Sequence, residues 1–129
     1  MKSPLRPNEK VYKNENEGER IMRSCLTSYC TYTKGAHVLN NVTLRFNEDT
    51  TQIDHILITM RGILVVETKH YTGWIFGNAR QKKWTQVIYK KKYRFQNPLH
   101  QNYKHILAVQ QALHFVPDTL VSGAIVFTK

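Results

Sequence analysis

The stretch QIDHILITMRGILVVETKH, residues 52–70, contains two apolar runs typical of β-strands, joined by a Met-Arg-Gly segment. Because side chains alternate between the two faces of a strand, Asp54 shares a face with apolar residues of the first run, and Glu67 and Lys69 share a face of the second. A turn at 60–61 places position 54 opposite 67, and a turn at 61–62 places it opposite 69. Either register brings Asp54 next to the Glu-x-Lys pair.

These side chains form an electrostatically costly set if the strands are buried. Two carboxylates about 4 Å apart repel each other by roughly 4 kcal/mol at an effective dielectric constant near 20, and Lys69 offsets only part of this. Clustered carboxylate oxygens suit Mg²⁺ or Mn²⁺ rather than zinc. Such a cation beside an ammonium group can catalyse phosphodiester hydrolysis, because the cation neutralises the phosphate and lowers the pKa of a bound water. Taken singly, Asp54 and the Glu67–Lys69 pair could equally be structural ion pairs, so the prediction rests on their joint placement.

A third carboxylate, Glu19, belongs to a predicted helix. Asn16 is suited to cap this helix with Glu19 at the capping-box position, and apolar residues then recur at helical spacing to about residue 30. Glu19, Met22 and Leu26 lie at i, i+3 and i+7, so the Glu19 carboxylate can point inward from the edge of the apolar face. A role in capping alone is the alternative for Glu19.

The remaining pattern predicts a mixed α/β core. A second helix is expected to begin at Asn97-Pro98, with Asn as the cap and Pro at the first helical position, and to run to about Phe115. Its expected apolar face includes Leu99 and Tyr103. Residues 1–14 are expected to form an N-terminal arm, and residues 15–129 the folded domain. Strands are expected at 37–46, 51–59, 63–69, 73–76, 83–89 and 120–127.

The charge indicates a polyanionic partner. The chain has 129 residues with a formal net charge of +10 and 41% apolar residues, so one folded domain carries a basic surface. Such a surface suits phosphate backbones, with solubility alone as the alternative. A membrane adaptor is disfavoured because the first helix is rich in glutamate, and no signal-peptide pattern is visible, which favours a cytoplasmic location. The candidate phosphate contacts, placed across one predicted hairpin, are Lys82, Lys83, Lys90, Lys91, Lys92 and Arg94.

Cysteines and aromatic residues receive structural interpretations. Cys25 and Cys30 are five positions apart on a helix, which suits neither a disulfide nor a zinc site, and Cys25 is expected in the core. The aromatic residues expected in the core or covering a sheet are Trp74, Phe76 and Trp84, with stacking on unpaired bases as the alternative.

The motifs together carry a resemblance. Gly18-Glu19 at the start of a helix, TQIDHILIT, RGILVVETKHYTGWIFG, Trp84 and FQNPLHQN resemble, in order and spacing, the nuclease-related domain (NERD) family, which is similar to the PD-(D/E)xK nuclease superfamily. The resemblance covers roughly residue 17 to the last residue. It implies a restriction-endonuclease-like αβββαβ core with a mixed central sheet flanked by helices. It also implies that Glu19, Asp54 and Glu67 surround Mg²⁺, that Lys69 assists the nucleophile, and that Gln101 reaches the site.

The leading functional hypothesis is therefore a Mg²⁺-dependent nuclease acting on DNA, with Mn²⁺ as an alternative cation and RNA as an alternative substrate. The second hypothesis is a non-catalytic nucleic-acid or protein-binding module that retains the fold. A second copy of the chain, or other DNA-processing modules, are the expected further partners. Before the resemblance is considered, Gln101 could be a solvated helix residue, and His105, at i+4, could share its face.

Overall fold

The computed structural model describes residues 15–128, so the arm predicted at 1–14 lies outside the described residues. In chain order the elements are α1 Glu17–Tyr32, β1 His37–Phe46, β2 Asp49–Thr59, β3 Gly62–His70, β4 Trp74–Phe76, β5 Lys83–Ile88, β6 Lys91–Gln96, α2 Pro98–Ala112, a 3-10 turn Asp118–Leu120, and β7 Val121–Thr128. This order contains the predicted αβββαβ succession, with a three-stranded insertion between β3 and α2.

The central sheet is mixed and has the strand order β1-β2-β3-β7. β1, β2 and β3 pair antiparallel, and β3 pairs parallel with β7. Thr59 pairs with Gly62, so the hairpin turns at residues 60–61. The β2–β3 ladder stops at His55–Val66, and the next two positions in this register are Asp54 and Glu67. The fold-class prediction is confirmed, and the register is the one that sets Asp54 opposite Glu67.

The main apolar core lies between this sheet and α2. Its buried members come from β2, β3, α2 and β7, and are Ile53, Ile56, Ile63, Val65, Val109 and Val121. The helix α1 packs against β1, β2 and β3. His55 and Leu57, which alternate with Ile56 along β2, are also buried. Burial on both faces of β2 and β3 explains why their sequences read as nearly continuous apolar runs.

The strands β4, β5 and β6 form a separate three-stranded antiparallel sheet. Its inner face carries Trp84, which stacks on Phe127 of β7 with ring centroids 6.3 Å apart, and Phe95, which meets Tyr71 edge to face. Trp84 is therefore a packing residue, as predicted.

Two aromatic residues of the same sheet do not pack as predicted. Trp74 is 72% exposed and Phe76 is 56% exposed, so their assignment to the core or to a sheet cover was wrong. The physical reason is alternation along β4, because Ile75 is the half-buried residue and its two neighbours point the other way.

Both helices also correct details of the sequence interpretation. Cys25 is exposed rather than in the core, and neither cysteine forms a disulfide. Leu99 and Tyr103 of α2 are exposed. The buried face of α2 instead consists of Pro98, Asn102, His105, Ala108 and Val109. The helix stops at Ala112, before the predicted Phe115, and the Leu113 N–H caps it by donating to the Val109 carbonyl.

Candidate active site

The N-terminus of α1 is seated against the carboxyl ends of β3 and β7. Gly18 makes this approach possible, because a Cβ at this position would overlap Thr128 Oγ1 and lie 2.8 Å from His70 Cβ. Gly18 is buried accordingly. The helix therefore begins directly beside the strand ends, and its first turn carries Glu19 to the same edge of the sheet as Glu67 and Lys69.

Glu19 has two roles in this position. Asn16 Oδ1 accepts from the Glu19 N–H at 2.8 Å, and the Asn16 N–H donates to Glu19 Oε2 at 3.2 Å, which completes the capping box. Glu19 also lines a cleft of about 480 Å³. Capping and orientation toward the cleft are thus compatible.

The cleft is lined entirely by polar residues from five elements, α1, β1, β2, β3 and α2. Its lining consists of Glu19, Asn41, Thr50, Thr51, Gln52, Asp54, Glu67, Gln101 and His105. Four of the five predicted catalytic residues are in this set, although they are spread over some eighty positions of the sequence. The fold therefore gathers the predicted carboxylates and Gln101 around one solvent-accessible space.

Lys69 connects Glu67 to α2. Its Nζ lies 3.3 Å from Glu67 Oε1 and donates to Gln101 Oε1 at 3.1 Å. An ammonium group has three N–H donors, so one remains for a water molecule or a phosphate oxygen. Gln101 thus fixes the position of Lys69, and the predicted set of Lys69, Glu67 and Gln101 is in direct contact.

Asp54 occupies an interruption of the sheet on both sides. Its Oδ2 accepts from the Thr68 N–H at 2.9 Å, just beyond the last β2–β3 pair. On the other side, the β1–β2 ladder pairs residues 40 with 55 and 42 with 53 but omits Asn41 and Asp54, and Asn41 has a left-handed φ of +52°. The Asn41 side chain accepts from Gln52 Nε2. This local break lets a charged residue occur within a buried strand.

Burial disfavours the charged form of all three carboxyl groups. Burial, followed by the charge of Asp54, raises the pKa of Glu67 to about 7, while Lys69 opposes the shift. Burial raises the pKa of Asp54, against the Thr68 N–H and Lys69. Burial and the charge of Asp54 raise the pKa of Glu19. Raised pKa values at three neighbouring carboxyl groups that line one cleft are a feature of functional sites.

Two residues near Glu67, His105 and Asn102, were not among the site residues predicted from the sequence. His105 Nδ1 lies 3.4 Å from Glu67 Oε2 and 3.2 Å from Asn102 Oδ1, and Asn102 Nδ2 donates to the Val65 carbonyl at 3.1 Å. Burial and the charge of Lys69 lower the pKa of His105, so this side chain is neutral at pH 7. The i+4 spacing from Gln101 predicted a shared face for His105, whereas Asn102 had no sequence signal.

The donor set fits a hard divalent cation. Glu67 Oε2 is buried and, among the described residues, accepts no hydrogen bond, so this carboxylate oxygen can accept a ligand. Within residues 15–128, no three His, Cys, Asp or Glu side chains are close enough to form a ready-made metal cage. Mg²⁺ does not require such a cage, because it usually retains several waters and is held by one or two carboxylates together with substrate phosphates. Asp54 and Glu67 suit this binding mode, with Glu19 across the same cleft.

The six predicted phosphate contacts are all exposed, and none makes an ion pair within the part of the chain that the structure describes. They belong to one hairpin, as predicted, because β5 pairs antiparallel with β6, but the two groups of lysines do not face each other. Lys83 pairs with Gln96 and Lys92 pairs with Val87, so Lys82 and Lys83 lie at one end of the β5–β6 ribbon and Lys90 to Lys92 at the other. Only Arg94, opposite Thr85, lies between them.

The two roles of Glu19 can be separated by substitution. Glu19→Gln retains a capping-box side chain, so we expect wild-type thermal stability together with weakened cation binding and slower cleavage. Glu19→Ala loses both the capping-box hydrogen bond and the carboxylate in the cleft, and the lost cap interaction is expected to lower stability by about 1 kcal/mol. Calorimetry and cleavage assays on both variants test this. Unchanged cleavage by Glu19→Gln would reduce Glu19 to a capping residue.

Comparison with known proteins identifies the family of this chain. Neither described helix is long and apolar enough to cross a membrane. No solved structure matches the chain. A 95-residue segment is 50% identical to an uncharacterised protein of Bacillus anthracis, and the match covers 72% of this chain but only 43% of that relative. The family model of the nuclease-related domain matches residues 14–128. Because this match covers nearly the whole chain, the protein belongs to the nuclease-related domain family.

Proposed function

We propose that the protein is a divalent-metal-dependent nuclease that hydrolyses phosphodiester bonds of DNA in the polar cleft. The observation that carries this proposal is Glu67, a buried carboxylate with Lys69 Nζ 3.3 Å from Oε1. Its Oε2 accepts no hydrogen bond from the described residues, although His105 Nδ1 lies 3.4 Å from it. A purely structural Glu–Lys pair would be expected to satisfy both carboxylate oxygens, because burial without partners is costly. The orphaned oxygen supports an exogenous ligand.

The cleft residues would divide the chemistry between binding and proton transfer. Asp54 is held at Oδ2 by the Thr68 N–H, so Oδ1 is left to bind a cation together with Glu67 Oε2. Mg²⁺ or Mn²⁺ in this place would supply positive charge beside the scissile phosphate and lower the pKa of a nearby water. Glu19, which lines the same cleft, would complete the acidic lining.

Lys69 would act on the nucleophile and on the developing charge. Its two contacts, to Glu67 and Gln101, leave one N–H directed by neither partner. This donor can orient the attacking water or bind a phosphate oxygen whose charge grows in the transition state. Gln101 would act as a positioning residue, because its Oε1 holds the ammonium group rather than the substrate.

A non-catalytic nucleic-acid-binding module is the second candidate. The observation that favours it is the placement of the exposed basic residues on the separate β4–β5–β6 sheet, rather than around the cleft. DNA retention there would not require the carboxylates. The two free thiols suit a reducing compartment, so we place either activity in the cytoplasm.

The test compares cleavage by the wild type, Lys69→Met and the matched control Lys104→Met, which removes an exposed lysine of α2. Linear, circular and single-stranded DNA are incubated with Mg²⁺, Mn²⁺ or EDTA. We expect metal-dependent cleavage that falls by about 10²-fold or more in Lys69→Met, the usual size of a lost electrostatic or acid–base group, and is unchanged in the control. DNA that is bound but never cut by any of the proteins would favour the binding module.

A further inference from the structure

The outer face of the β4–β5–β6 sheet combines two exposed aromatic side chains with three basic ones. Strand pairing aligns Trp74 with Val87 and Lys92 in one row, and Phe76 with Thr85 and Arg94 in the next. Residues directly opposite each other share a face of a sheet. By alternation along β5, Lys83 shares this face with Thr85 and Val87. We call these residues, Trp74, Phe76, Lys83, Lys92 and Arg94, the aromatic–basic face.

Folding alone does not account for this face. The opposite face of the same sheet supplies the packing surface, through Trp84 on Phe127 and Phe95 on Tyr71. Trp74 and Phe76 instead leave 72% and 56% of their surface in water. Exposed aromatic residues at alternate positions of β4, with Lys92 and Arg94 two strands away on β6 and Lys83 on the strand between, point to a ligand that is both planar and anionic.

We propose that the aromatic–basic face binds single-stranded nucleic acid, with unpaired bases stacked on Trp74 and Phe76 and phosphates bound by Lys83, Lys92 and Arg94. Aromatic platforms beside cationic side chains are how proteins hold single strands without reading their sequence. Duplex DNA would match this surface poorly, because its base planes are covered by their neighbours in the stack. This inference rests on the proposed function and makes its substrate more specific, as DNA with a single-stranded segment.

The dimensions of the face agree with this ligand. Residues i and i+2 of a strand are about 7 Å apart, twice the 3.4 Å spacing of bases in one strand of duplex DNA, which suits bases that are spread out. The aromatic and basic columns are separated by two strand spacings, about 10 Å. In the two rows that join the aromatic residues to Lys92 and Arg94, the middle β-strand, β5, contributes only Val87 and Thr85. No large side chain therefore blocks a nucleic-acid strand that crosses the sheet along these rows.

The face is also connected to the cleft. β6 runs directly into α2, which carries Gln101. The buried Asn97 at this junction caps α2 and donates to the carbonyls of Asn78, Ala79 and Gln81 in the loop that precedes β5. A nucleic-acid strand bound on the aromatic–basic face would therefore contact a sheet that is joined directly to α2, the helix whose Gln101 positions Lys69.

The first measurement uses the intrinsic fluorescence of Trp74. The chain has two tryptophans, so Trp84→Phe leaves Trp74 as the only one. In a Glu67→Gln background with EDTA, where cleavage is prevented, a 12-nucleotide oligo(dT) is expected to quench Trp74, and a 12-base-pair duplex is expected to quench it much less. If an anionic phosphatidylserine vesicle shifts the emission of Trp74 and the oligonucleotide does not, the face contacts a membrane surface and the proposal is wrong.

The second measurement does not depend on Trp84→Phe folding well. With Trp84 retained, Trp74→Ala and Phe76→Ala are each expected to weaken the binding of labelled oligo(dT) at least about fivefold by anisotropy, while Phe115→Ala, an exposed aromatic outside the face, leaves it unchanged. Lys92→Gln and Arg94→Gln are expected to reduce the slope of affinity against salt. Wild-type affinity for oligo(dT) in the Trp74→Ala/Phe76→Ala double variant would overturn the proposal.

The outcome is distinguishable from that of the proposed function. Oligonucleotide binding to Trp74 without metal-dependent cutting of any DNA would support the face and count against the nuclease. Cutting of duplex and single-stranded DNA with equal efficiency by the wild type and the double variant would support the nuclease and count against the face.

Discussion

Glu67→Gln is expected to reduce metal-dependent DNA cleavage by about 10²- to 10³-fold, the range seen when one preorganised electrostatic group is removed from an active site. Glutamine matches the shape of glutamate but lacks the charge that a divalent cation requires. Lys69 would also lose its anionic partner, although its hydrogen bond to Gln101 would remain. The loss should therefore not be recovered by raising the Mg²⁺ concentration. Cleavage rates of wild type and variant at several Mg²⁺ concentrations test this.

Glu48→Gln is the matched control, because it removes a glutamate that is exposed in the β1–β2 turn. This control is expected to cut at the wild-type rate. Calorimetry of all three proteins separates lost chemistry from lost folding. Near-normal cleavage by a folded Glu67→Gln protein would remove Glu67 from the mechanism and leave the polar cleft without its central residue.

The same substitution is expected to change how folding stability depends on pH. The pKa of Glu67 is raised in the folded state from 4.5 to about 7, so its contribution to stability is fully present below pH 4.5 and is lost as the pH rises through 7. At 1.36 kcal/mol per pKa unit, this amounts to roughly 3 kcal/mol lost by pH 8. Glu19 and Asp54 shift in the same direction.

His55 acts in the opposite sense. This residue is buried, and its Nε2 has no hydrogen-bond partner in the part of the chain that the structure describes. Burial lowers the pKa of His55 from 6.5 to about 4, so its contribution to stability is present above pH 6.5 and is lost as the pH falls through 4. In the wild type, Glu67 and His55 therefore oppose each other between about pH 4.5 and 6.5.

Glu67→Gln should remove one side of this balance. We expect the free energy of unfolding of the variant, relative to the wild type, to increase steadily from pH 4.5 to 8 in EDTA. Urea denaturation at half-unit pH intervals measures this difference, and Glu48→Gln should give a flat line. Added Mg²⁺ should then stabilise the wild type above pH 7 but not the variant, because a ligand stabilises only the protein that binds it. A pH-independent difference would contradict the raised pKa.

Local sequence signals were enough to predict the elements that build the cleft. The capping box at Asn16 marks the start of α1, and Asn97-Pro98 marks the start of α2. The two apolar runs around the 60–61 turn predict the β2–β3 hairpin, and either register kept Asp54 near Glu67. These features depend on residues a few positions apart, which is why one sequence reveals them.

Other features depend on what covers a surface, and sequence alternation cannot supply that information. Alternation separates Trp74 and Phe76 from Ile75, but only the tertiary structure decides which side is packed. On α2, the buried face was predicted to contain the apolar Leu99 and Tyr103, which are exposed, whereas the actual buried face contains Asn102 and His105. Polar residues buried for hydrogen bonding interrupt the apolar periodicity, so functional sites are where pattern reasoning fails.

The part of β3 that carries Glu67 and Lys69 has only one partner strand within the described residues, and that partner is β7. Thr128 of β7 also forms the seat against which Gly18 brings Glu19. β7 follows every other described element in the chain, so it leaves the ribosome after them. During synthesis, the part of β3 that carries Glu67 and Lys69 therefore stays without its partner strand until β7 has been made and pairs with it.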